Sequence, residues 1–371
     1  MNIYVYESEN LSDFTLCGVL DSYKSFNFTK KFQGCGNWTI KGLYTPEIAQ
    51  LLKKERIIYV NKKVNGIIVS VNFDVNDKGE MTYTASGTEL KGILNRRIVW
   101  GTYSNKASTS NWARELVRQE CVTPKDARRK LLTRIEGVPQ SDTMIEKQVS
   151  YKNLLDTLNK VFDGDKKGKL AVGYDVLLTL GKSGKGAVGF TTILGADRTI
   201  TSSNPFVISR MMDTVSSLSA TTTSKGIYNV ALAAGEGEGA ERKLATAGNL
   251  NLTGLARKEV FADCREIQSK TKDESGNETT ITEADYLKLL AQEAQDALND
   301  KDLSVEAETV VSMTDALNLL GATVTVIDKE FEVQTEDFIS EVNIIDEADG
   351  ALSTLTVGRG VDAQKFIMRK E

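Results

Sequence analysis

Residues 67–85, IIVSVNFDVNDKGEMTYTA, contain the pattern that decides the fold of this chain. Apolar and polar side chains alternate in VSVNFDV and again in MTYTA, as they do in strands with one buried face. The Asn, Asp and Gly residues between the two runs are residues that tight turns favour. The stretch therefore predicts an antiparallel β-hairpin.

Similar runs, separated by Gly, Asn and Asp, fill the N-terminal part of the chain. Strands are predicted at Ile3–Tyr6, Phe14–Leu20, Phe26–Phe32, Trp38–Tyr44, Ile57–Asn61, Ile67–Val75 and Met81–Ala85. Pro46–Lys53 is predicted to be a short helix, because proline suits the first helical turn. Short strands joined by tight turns are typical of a barrel or sandwich and not of a parallel α/β sheet.

The rest of the chain alternates between helical and strand patterns. Helices are predicted at residues 91–96, Asn111–Glu120, Pro124–Ile135, Tyr151–Phe162 and Glu283–Leu298, the last with a capping box of Thr280 and Glu283. Strands are predicted at Lys169–Leu180, residues 187–194, Phe206–Leu218, Gly226–Ala234 and Lys258–Ile267, and β structure again over Ser304–Arg369. The polar segment Ser269–Thr280 is predicted to be a surface loop.

The hairpin pattern occurs a second time near the C-terminus. In each copy a Val-Asn pair is followed by a glycine eight residues after the valine and by another glycine eight residues later. The positions are Val71, Gly79 and Gly87 in the first copy, and Val342, Gly350 and Gly358 in the second. Either a β domain has been duplicated or two common hairpins are similar by chance. Duplication would leave two related β domains with helices between them.

The composition excludes several classes of function. The chain has 371 residues, of which 46 are basic, 51 are acidic and none is histidine, for a net charge of −5. Without histidine there is no Ser-His-Asp triad, Cys-His dyad or HExxH zinc site. The cysteines contain no CxxC pair, so we predict neither a metal nor a cofactor site, and reduced, mainly buried thiols at Cys17, Cys35, Cys121 and Cys264.

The charge pattern also bears on location. An overall basic footprint for nucleic acid is absent, and no apolar run reaches the roughly 18–20 residues of a membrane span. The N-terminus carries Glu7, Glu9 and Asp13 where a signal peptide needs basic and then apolar residues. We therefore expect the chain to be made and folded in a cytoplasm, with no membrane partner.

Two glycine-rich motifs are similar to nucleotide-binding loops without matching them. GKSGKG at Gly181–Gly186 has the GKS of a phosphate loop, but Val176 stands where the first glycine is required. GEGEG at Gly235–Gly239 lacks the GxGxxG spacing, and its glutamates would repel a pyrophosphate. We predict a basic hairpin for the first motif and a permissive turn for the second. In the alternative interpretation, Glu236 and Glu238 bind a cation or a basic group of a neighbouring subunit. Arg242 lies close enough in sequence to neutralise their charge.

Arg96 ends the predicted short helix at residues 91–96, and Arg97 and Trp100 follow it. Guanidinium groups bind phosphates or carboxylates, and at a strand edge we favour ion pairs within or between subunits over a solvated pair. The candidates for a subunit interface are Arg96, Arg97, Trp100, Glu236, Glu238 and Arg242. No catalytic residue is assigned, since the sequence singles out no carboxylate pair for glycoside hydrolysis.

Four segments, in order along the chain, resemble the tail hub proteins of siphophages and prophages, Gram-positive type. They are TASGTELKGILNRRIVW (Thr84–Trp100), KGIYNVALAAGEGEGAERK (Lys225–Lys243), ITEADYLKLLAQEAQDAL (Ile281–Leu298) and LGATVTVIDKEFEVQTEDFISEVNI (Leu320–Ile344). The first is similar to the strand, short helix and Arg-Arg-Ile element of the family's N-terminal barrel. The GEGEG box with its flanks is the most specific match.

The resemblance implies an α+β, mainly β fold with two related β-barrel-like domains and an intervening helical or mixed segment. The implied boundaries are 1–105 for the N-terminal barrel, 106–168 for a helical insertion, 169–280 for a mixed segment contributing to the second barrel, and 281–371 for the helix and strands that complete it. Many relatives carry a C-terminal peptidase or lysozyme domain, which we expect to be absent because the chain ends at Glu371.

The resemblance also implies a structural, non-enzymatic role in the virion tail. Three chains would form a ring that adapts a six-fold tail tube to a three-fold tail tip or baseplate, and DNA would pass through without specific binding. The implied partners are two further copies, the distal tail or tail tube protein, the tape-measure protein, and tail-tip spike or fibre proteins. The alternatives are a tail-associated cell-wall hydrolase acting through two carboxylates and a receptor- or polysaccharide-binding tip protein.

Overall fold

The computed structural model describes residues 1–141, 143–212, 215–222, 224–272, 278–298, 303–309, 311–347 and 350–358. Within these ranges the molecule is mainly β with some helices, as the sequence predicts. The end of the predicted β stretch Ser304–Arg369 lies outside the described residues. Where the chain is described, no helix is both long and apolar enough to cross a membrane.

The bounds of the elements follow chain order. The strands are β1 (Ile3–Glu7), β2 (Thr15–Leu20), β3 (Ser25–Lys31), β4 (Asn37–Leu43), β5 (Ile57–Tyr59), β6 (Asn65–Val75), β7 (Met81–Glu89), β8 (Thr102–Ser108), β9 (Arg134–Ile135), β10 (Met144–Ser150), β11 (Lys166–Lys167), β12 (Leu170–Leu180), β13 (Gly186–Leu194), β14 (Asp197–Arg198), β15 (Val207–Ile208), β16 (Val215–Thr222), β17 (Val230–Ala234), β18 (Leu244–Gly248), β19 (Glu259–Asp263), β20 (Lys270–Lys272), β21 (Glu278–Thr280), β22 (Leu303–Thr309), β23 (Thr323–Asp328), β24 (Val333–Glu347) and β25 (Gly350–Val357). The α-helices are α1 (Pro46–Leu51), α2 (Thr109–Val117), α3 (Leu154–Phe162), α4 (Glu283–Ala297) and α5 (Met313–Leu319).

One large sheet contains strands from both ends of the chain. Its order is β16-β22-β25-β24-β3-β4-β7-β6-β5-β1-β2, and β23 extends it from β24 and carries β14 and β15. The two halves meet where β3 pairs with β24, with Phe28 opposite Ile344. The path is open within the described ranges, since its end strands β2 and β16 do not pair with each other.

The hairpin predicted over residues 67–85 is confirmed as the antiparallel pair β6–β7. The second copy of the pattern forms the antiparallel pair β24–β25. Each hairpin has a β-bulge at the same place in the pattern, at Val69 and at Ser340, two residues before the repeated valine. The turn glycines Gly79 and Gly350 have φ angles of +77° and +121°, which glycine tolerates best.

The middle of the chain packs helices against a second group of strands. Ser108 and Asn153 accept hydrogen bonds from backbone N–H groups in the first turns of α2 and α3, so these helices begin at Thr109 and Leu154. Their apolar faces pack with β12 and β13 around a buried core of Trp112, Phe162, Tyr174 and Phe190.

The predicted helix Pro124–Ile135 is wrong. Only residues Ala127–Arg129 form a single 3-10 turn, and Arg134–Ile135 is a short strand beside β13. The backbone N–H groups of Leu131 and Leu132 both donate to the carbonyl of Cys121. Tertiary hydrogen bonds therefore replace the helical ones in this segment.

The described residues 224–272 and 278–298 form a small lobe between β16 and β22. One face of the sheet β18-β17-β19 packs on α4 through Ala231, Ala233, Tyr286 and Leu290. Thr282 caps α4 by accepting from the Asp285 N–H, so the predicted capping box of Thr280 and Glu283 is wrong.

Three further expectations are corrected by the structure. The predicted loop Ser269–Thr280 contains the strand pair β20–β21. The predicted strand Phe206–Leu218 is divided into β15, a 3-10 turn and β16. Helix α5, which begins after the capping residue Ser312, interrupts the predicted C-terminal β stretch.

Candidate interaction surface

Trp100 is the most exposed of the three tryptophans, with 67% of its surface accessible, whereas Trp38 and Trp112 are buried. The guanidinium carbon of Arg129 lies 4.9 Å from the centre of its ring, which is cation–π distance. Arg129 also donates to Glu120 Oε2 at 2.6 Å, and Glu120 Oε1 accepts the backbone N–H of Trp100 at 3.1 Å. The exposed indole is therefore held in a fixed position.

Arg96 and Arg97 have different surroundings. Arg96 is the last residue of the 3-10 helix Leu90–Arg96, and its guanidinium forms an ion pair with Glu55 at 2.5 Å. Arg97 points the other way and donates to the backbone carbonyls of Arg129 at 2.8 Å and Lys130 at 3.5 Å. An intramolecular ion pair is thus present for Arg96, while Arg97 binds backbone carbonyl groups beside Trp100.

The GEGEG motif forms a turn after β17. Arg242 holds it from inside, since its guanidinium donates to the carbonyls of Gly235 and Ala234 and to Asp263, and only 9% of its side chain is exposed. Glu236 is half-buried and accepts the N–H of Ser269 at 3.1 Å. Glu238 is exposed. Of the three candidates here, Glu238 alone has an exposed side chain.

The GKSGKG motif is the turn between β12 and β13, which agrees with the predicted hairpin. Its backbone bonds to the loop after β1, because Phe14 N–H donates to the Gly184 carbonyl and Gly186 N–H donates to the Ser12 carbonyl. Lys185 forms an ion pair with Asp13. A strand follows the motif, so the helix N-terminus of a phosphate loop is missing.

Sequence analysis missed a cluster of buried charges between β3, β7 and β12. The Lys30 ammonium lies 2.7 Å from Asp175 and 3.1 Å from Glu89, and Glu89 also accepts the N–H groups of Lys31 and Gly36. Lys91 donates to the Lys31 carbonyl at 2.5 Å. The strand alternation holds the signal that could have revealed it, because Lys30 follows Phe26 and Phe28 on the buried face of β3.

The electrostatics of this cluster are those of a structural ion pair. Burial opposes charge on Asp175, but the Lys30 and Lys91 ammonium groups outweigh it and lower the pKa of Asp175. Burial likewise opposes charge on Lys30, and Asp175 and Glu89 outweigh it and raise the pKa of Lys30. Burial raises the pKa of the neighbouring Cys35 thiol to about 12, so this thiol is unreactive at neutral pH.

Glu7, which lines a cavity at the molecular surface, does not have the environment of a catalytic acid. This cavity of about 720 Å³ lies beside α1 and is lined by Glu7, Glu47 and Arg56, among others. Arg56 donates to Glu7 at 2.7 Å and 3.0 Å, which lowers the pKa of Glu7, whereas a glycosidase acid needs a raised pKa. No group of three or more Cys, Asp or Glu in the described ranges is placed to hold a metal ion.

The chain has the fold of a prophage tail protein. It matches the 43 kDa tail protein of prophage MuSo2 from Shewanella oneidensis with a TM-score of 0.53 and 13% identity, over 97% of this chain and 98% of that chain. The tail protein from Neisseria meningitidis MC58 is similar at a TM-score of 0.48 and 14% identity, over 96% and 95% of the two chains. Prophage tail protein gp18 from Listeria monocytogenes EGD-e has a TM-score of 0.48 and 10% identity, over 97% and 96%.

No curated protein matches this chain in sequence. The family of siphovirus ReqiPepy6 Gp37-like proteins matches residues 2–359. The chain therefore belongs to this family of siphovirus tail proteins, which confirms the family predicted from the four segments. Membership identifies it as a structural component of a phage tail.

Proposed function

We propose that this protein is the tail hub, three copies of which form a ring between a six-fold tail tube and a three-fold tail tip. The observation that carries the proposal is the repeated hairpin. The copies β6–β7 and β24–β25 share the spacing of Val, Gly and Gly as well as the position of the β-bulge. A duplicated unit would present two similar surfaces per chain, and three chains would then present six.

In this proposal the two barrel-like domains are built on the two halves of the large sheet. The N-terminal half is β1–β7, within the proposed domain 1–105, and the other half is β16, β22, β24 and β25. The helical insertion 106–168 and the segments 169–280 and 281–371 complete the proposed division. Pairing of β3 with β24 joins the halves directly, which supports their acting as one unit.

The ring requires head-to-tail contacts that close after three copies. Unpaired strand edges tend to pair with other chains, and β2 and β16 lie at the two ends of the sheet path. Arg97, Trp100 and Glu238 remain interface candidates with Arg96 and Glu236, while Arg242 would act from within its own turn. The net charge of −5 suits a pore through which DNA passes without being held.

In this proposal the protein is not an enzyme and assembles in the host cytoplasm. Its partners are the distal tail or tail tube protein, the tape-measure protein and the spike or fibre proteins of the tip. Family membership and the ion-paired state of Glu7 support a structural role.

Light scattering coupled to gel filtration tests the proposal directly. We expect a trimer, or a monomer that becomes trimeric when the tail tube protein of the same phage is added. Negative-stain images of that species should show a three-fold ring with a central opening. A stable dimer, or a monomer that no tail protein converts into a ring, would contradict the proposal.

A further inference from the structure

Tyr151 extends the exposed surface around Trp100. Its side chain is 71% exposed, and its N–H donates to the Gly101 carbonyl at 3.3 Å. The pairing of β8 with β10 continues to this end, with Thr102 opposite Ser150, and the Val99 N–H donates to the Lys152 carbonyl. Two exposed aromatic side chains therefore lie at the same end of the β8–β10 ribbon.

The backbone around these aromatics is constrained. Tyr151 has a φ angle of +53°, a left-handed conformation that is unfavourable for a bulky residue and is kept only when its surroundings impose it. Ile98, which is 39% exposed, forms a bridge with Asn153 on the adjoining segment. A rigid, exposed group of one Ile, one Trp and one Tyr has the composition of a protein-binding hot spot, because little conformational entropy is lost on docking.

The charges around Trp100 leave a positive excess. Four cations have acidic partners there, namely Arg96 with Glu55, Arg128 with Asp126, Arg129 with Glu120 and Lys152 with Glu266. Among the described residues, Arg97 and the exposed Lys130 have no carboxylate partner. The whole chain has a net charge of −5, so the residues outside this positive region together have a net charge more negative than −5.

These charges favour a protein partner over DNA. Binding to DNA depends mainly on several cation–phosphate contacts, and of the cations named here Arg97 and Lys130 alone lack a carboxylate partner among the described residues. The Arg97 guanidinium, moreover, already donates to the backbone carbonyls of Arg96, Arg129 and Lys130. A second copy of this chain is the partner that the charge favours, because its net charge of −5 is opposite in sign to the unpaired cations beside Trp100.

We propose that Ile98, Trp100 and Tyr151, with Arg97 and Lys130 at their edge, form the surface by which one copy of this chain binds an acidic region of the next. We call it the Trp100 surface. The inference rests on the proposed self-assembly of the hub and adds the part of the molecule that performs it. Its counterpart on the neighbouring copy is a different surface, as a closed ring requires.

Tryptophan fluorescence can follow this surface in the unmodified protein. Because Trp38 and Trp112 are buried, a neutral quencher such as acrylamide should act mainly on Trp100. Trp100→Phe identifies the Trp100 contribution and keeps an aromatic side chain. We expect the fraction of tryptophan fluorescence that acrylamide quenches to fall when the trimer forms. The trimer, detected by light scattering, should form on concentrating the protein or on adding the tail tube protein.

Variants then test the contribution of the surface. Trp100→Ala and Lys130→Glu should each weaken self-association at least tenfold, and Trp100→Phe should weaken it less. Leu255→Ala is the matched control, since Leu255 is 99% exposed and lies outside the Trp100 surface. Thermal melts should show that all four variants fold.

The outcomes separate this inference from the proposed function. If Trp100 stays fully quenchable in the trimer, or if Trp100→Ala and Lys130→Glu still form the trimer, the Trp100 surface is not the site of self-association. The proposed hub function would then still stand. Failure to assemble under any condition overturns both. Protection of Trp100 by a DNA duplex, or by an acidic tail protein without self-association, shows another occupant and also overturns the inference.

Discussion

At the residue scale, the most consequential feature is the buried group of Lys30, Glu89, Lys91 and Asp175, all at most 5% exposed. Charges at such depth persist only when they are paired and hydrogen-bonded. Lys30 lies on β3 and Asp175 on β12, so their ion pair connects the large sheet to the second group of strands. Removing one partner leaves the other unpaired, which is more costly than the pair itself is stabilising.

Asp175→Asn should therefore lower the free energy of unfolding by about 3–5 kcal/mol, the range for breaking a buried ion pair. Urea denaturation monitored by circular dichroism measures it. Asp13→Asn is the matched control, because Asp13 also pairs with a lysine, Lys185, but its side chain is 54% exposed. An equal effect of the two substitutions would contradict the structural role of the buried pair.

The pH dependence of stability follows from the same ion pair. The pKa of Asp175 is lowered from its ordinary value of 3.8, so its contribution is fully present above that value and is lost as the pH falls below it. The difference in stability between the unmodified protein and Asp175→Asn should be constant near neutral pH and should narrow in acid. A difference that widened as the pH fell would refute the lowered pKa.

At the element scale, the glycines of the hairpin β6–β7 have different physical roles. A Cβ at Gly79 would meet nothing within 4 Å, so its φ of +77° is the reason for glycine there. A Cβ at Gly87 would lie 1.8 Å from the Ile67 carbonyl oxygen and 2.8 Å from the Trp38 ring. The positive φ angle is therefore the reason for glycine at position 79, and close packing is the reason for glycine at position 87.

Alanine substitutions should separate these roles. Gly79→Ala should cost about 1–2 kcal/mol, the penalty of a left-handed non-glycine residue, with the core unchanged. Gly87→Ala should cost about 3 kcal/mol or more, because backbone and a buried ring must both move. Chemical denaturation gives the two values, and the emission of Trp38 should change only for Gly87→Ala. The reverse order of costs would contradict this packing.

Local patterns predicted most strands, and they failed where tertiary contacts compete with local preference. Residues 124–135 have helical spacing and a proline suited to a first turn. Thr133 nevertheless exchanges hydrogen bonds with Val188 of β13, and Arg134 pairs with Gly189. A strand partner supplies these bonds without the cost of starting a new helix, so the segment is extended.

At the scale of the whole molecule, the lobe 224–298 is inserted between two strands of the large sheet and contacts the helical segment through charged groups. Lys147 on β10, which is buried, lies 2.8 Å from Glu293 and also pairs with Asp296, both on α4. Lys152 pairs with Glu266 at 3.4 Å beside a cavity of about 250 Å³. Polar contacts of this kind permit movement between the parts of a chain.

Lys147→Met should loosen the lobe without unfolding the large sheet. We expect amide hydrogens of α4 and β17 to exchange roughly tenfold faster, equivalent to about 1.4 kcal/mol, with β3 and β4 unchanged. Lys106→Met is the control, since Lys106 lies on the paired strand β8 and its ion pair with Glu146 is largely exposed. Unchanged exchange in α4 would show that the ion pairs do not hold the lobe.

The sequence by itself determined the mainly β class, the two hairpins and the family, because alternation and turn residues act over a few neighbouring positions. The interface candidates were predicted from residue type. The structure leaves Arg96, Trp100 and Glu238 exposed and encloses Arg242 within its own turn. Only the tertiary structure decided that β3 pairs with β24, more than 300 residues away in the chain, and that Lys30 meets Asp175. The reason is physical: any strand edge can accept any other strand, so the choice of partner depends on how the assembled chain satisfies its buried hydrogen bonds and charges.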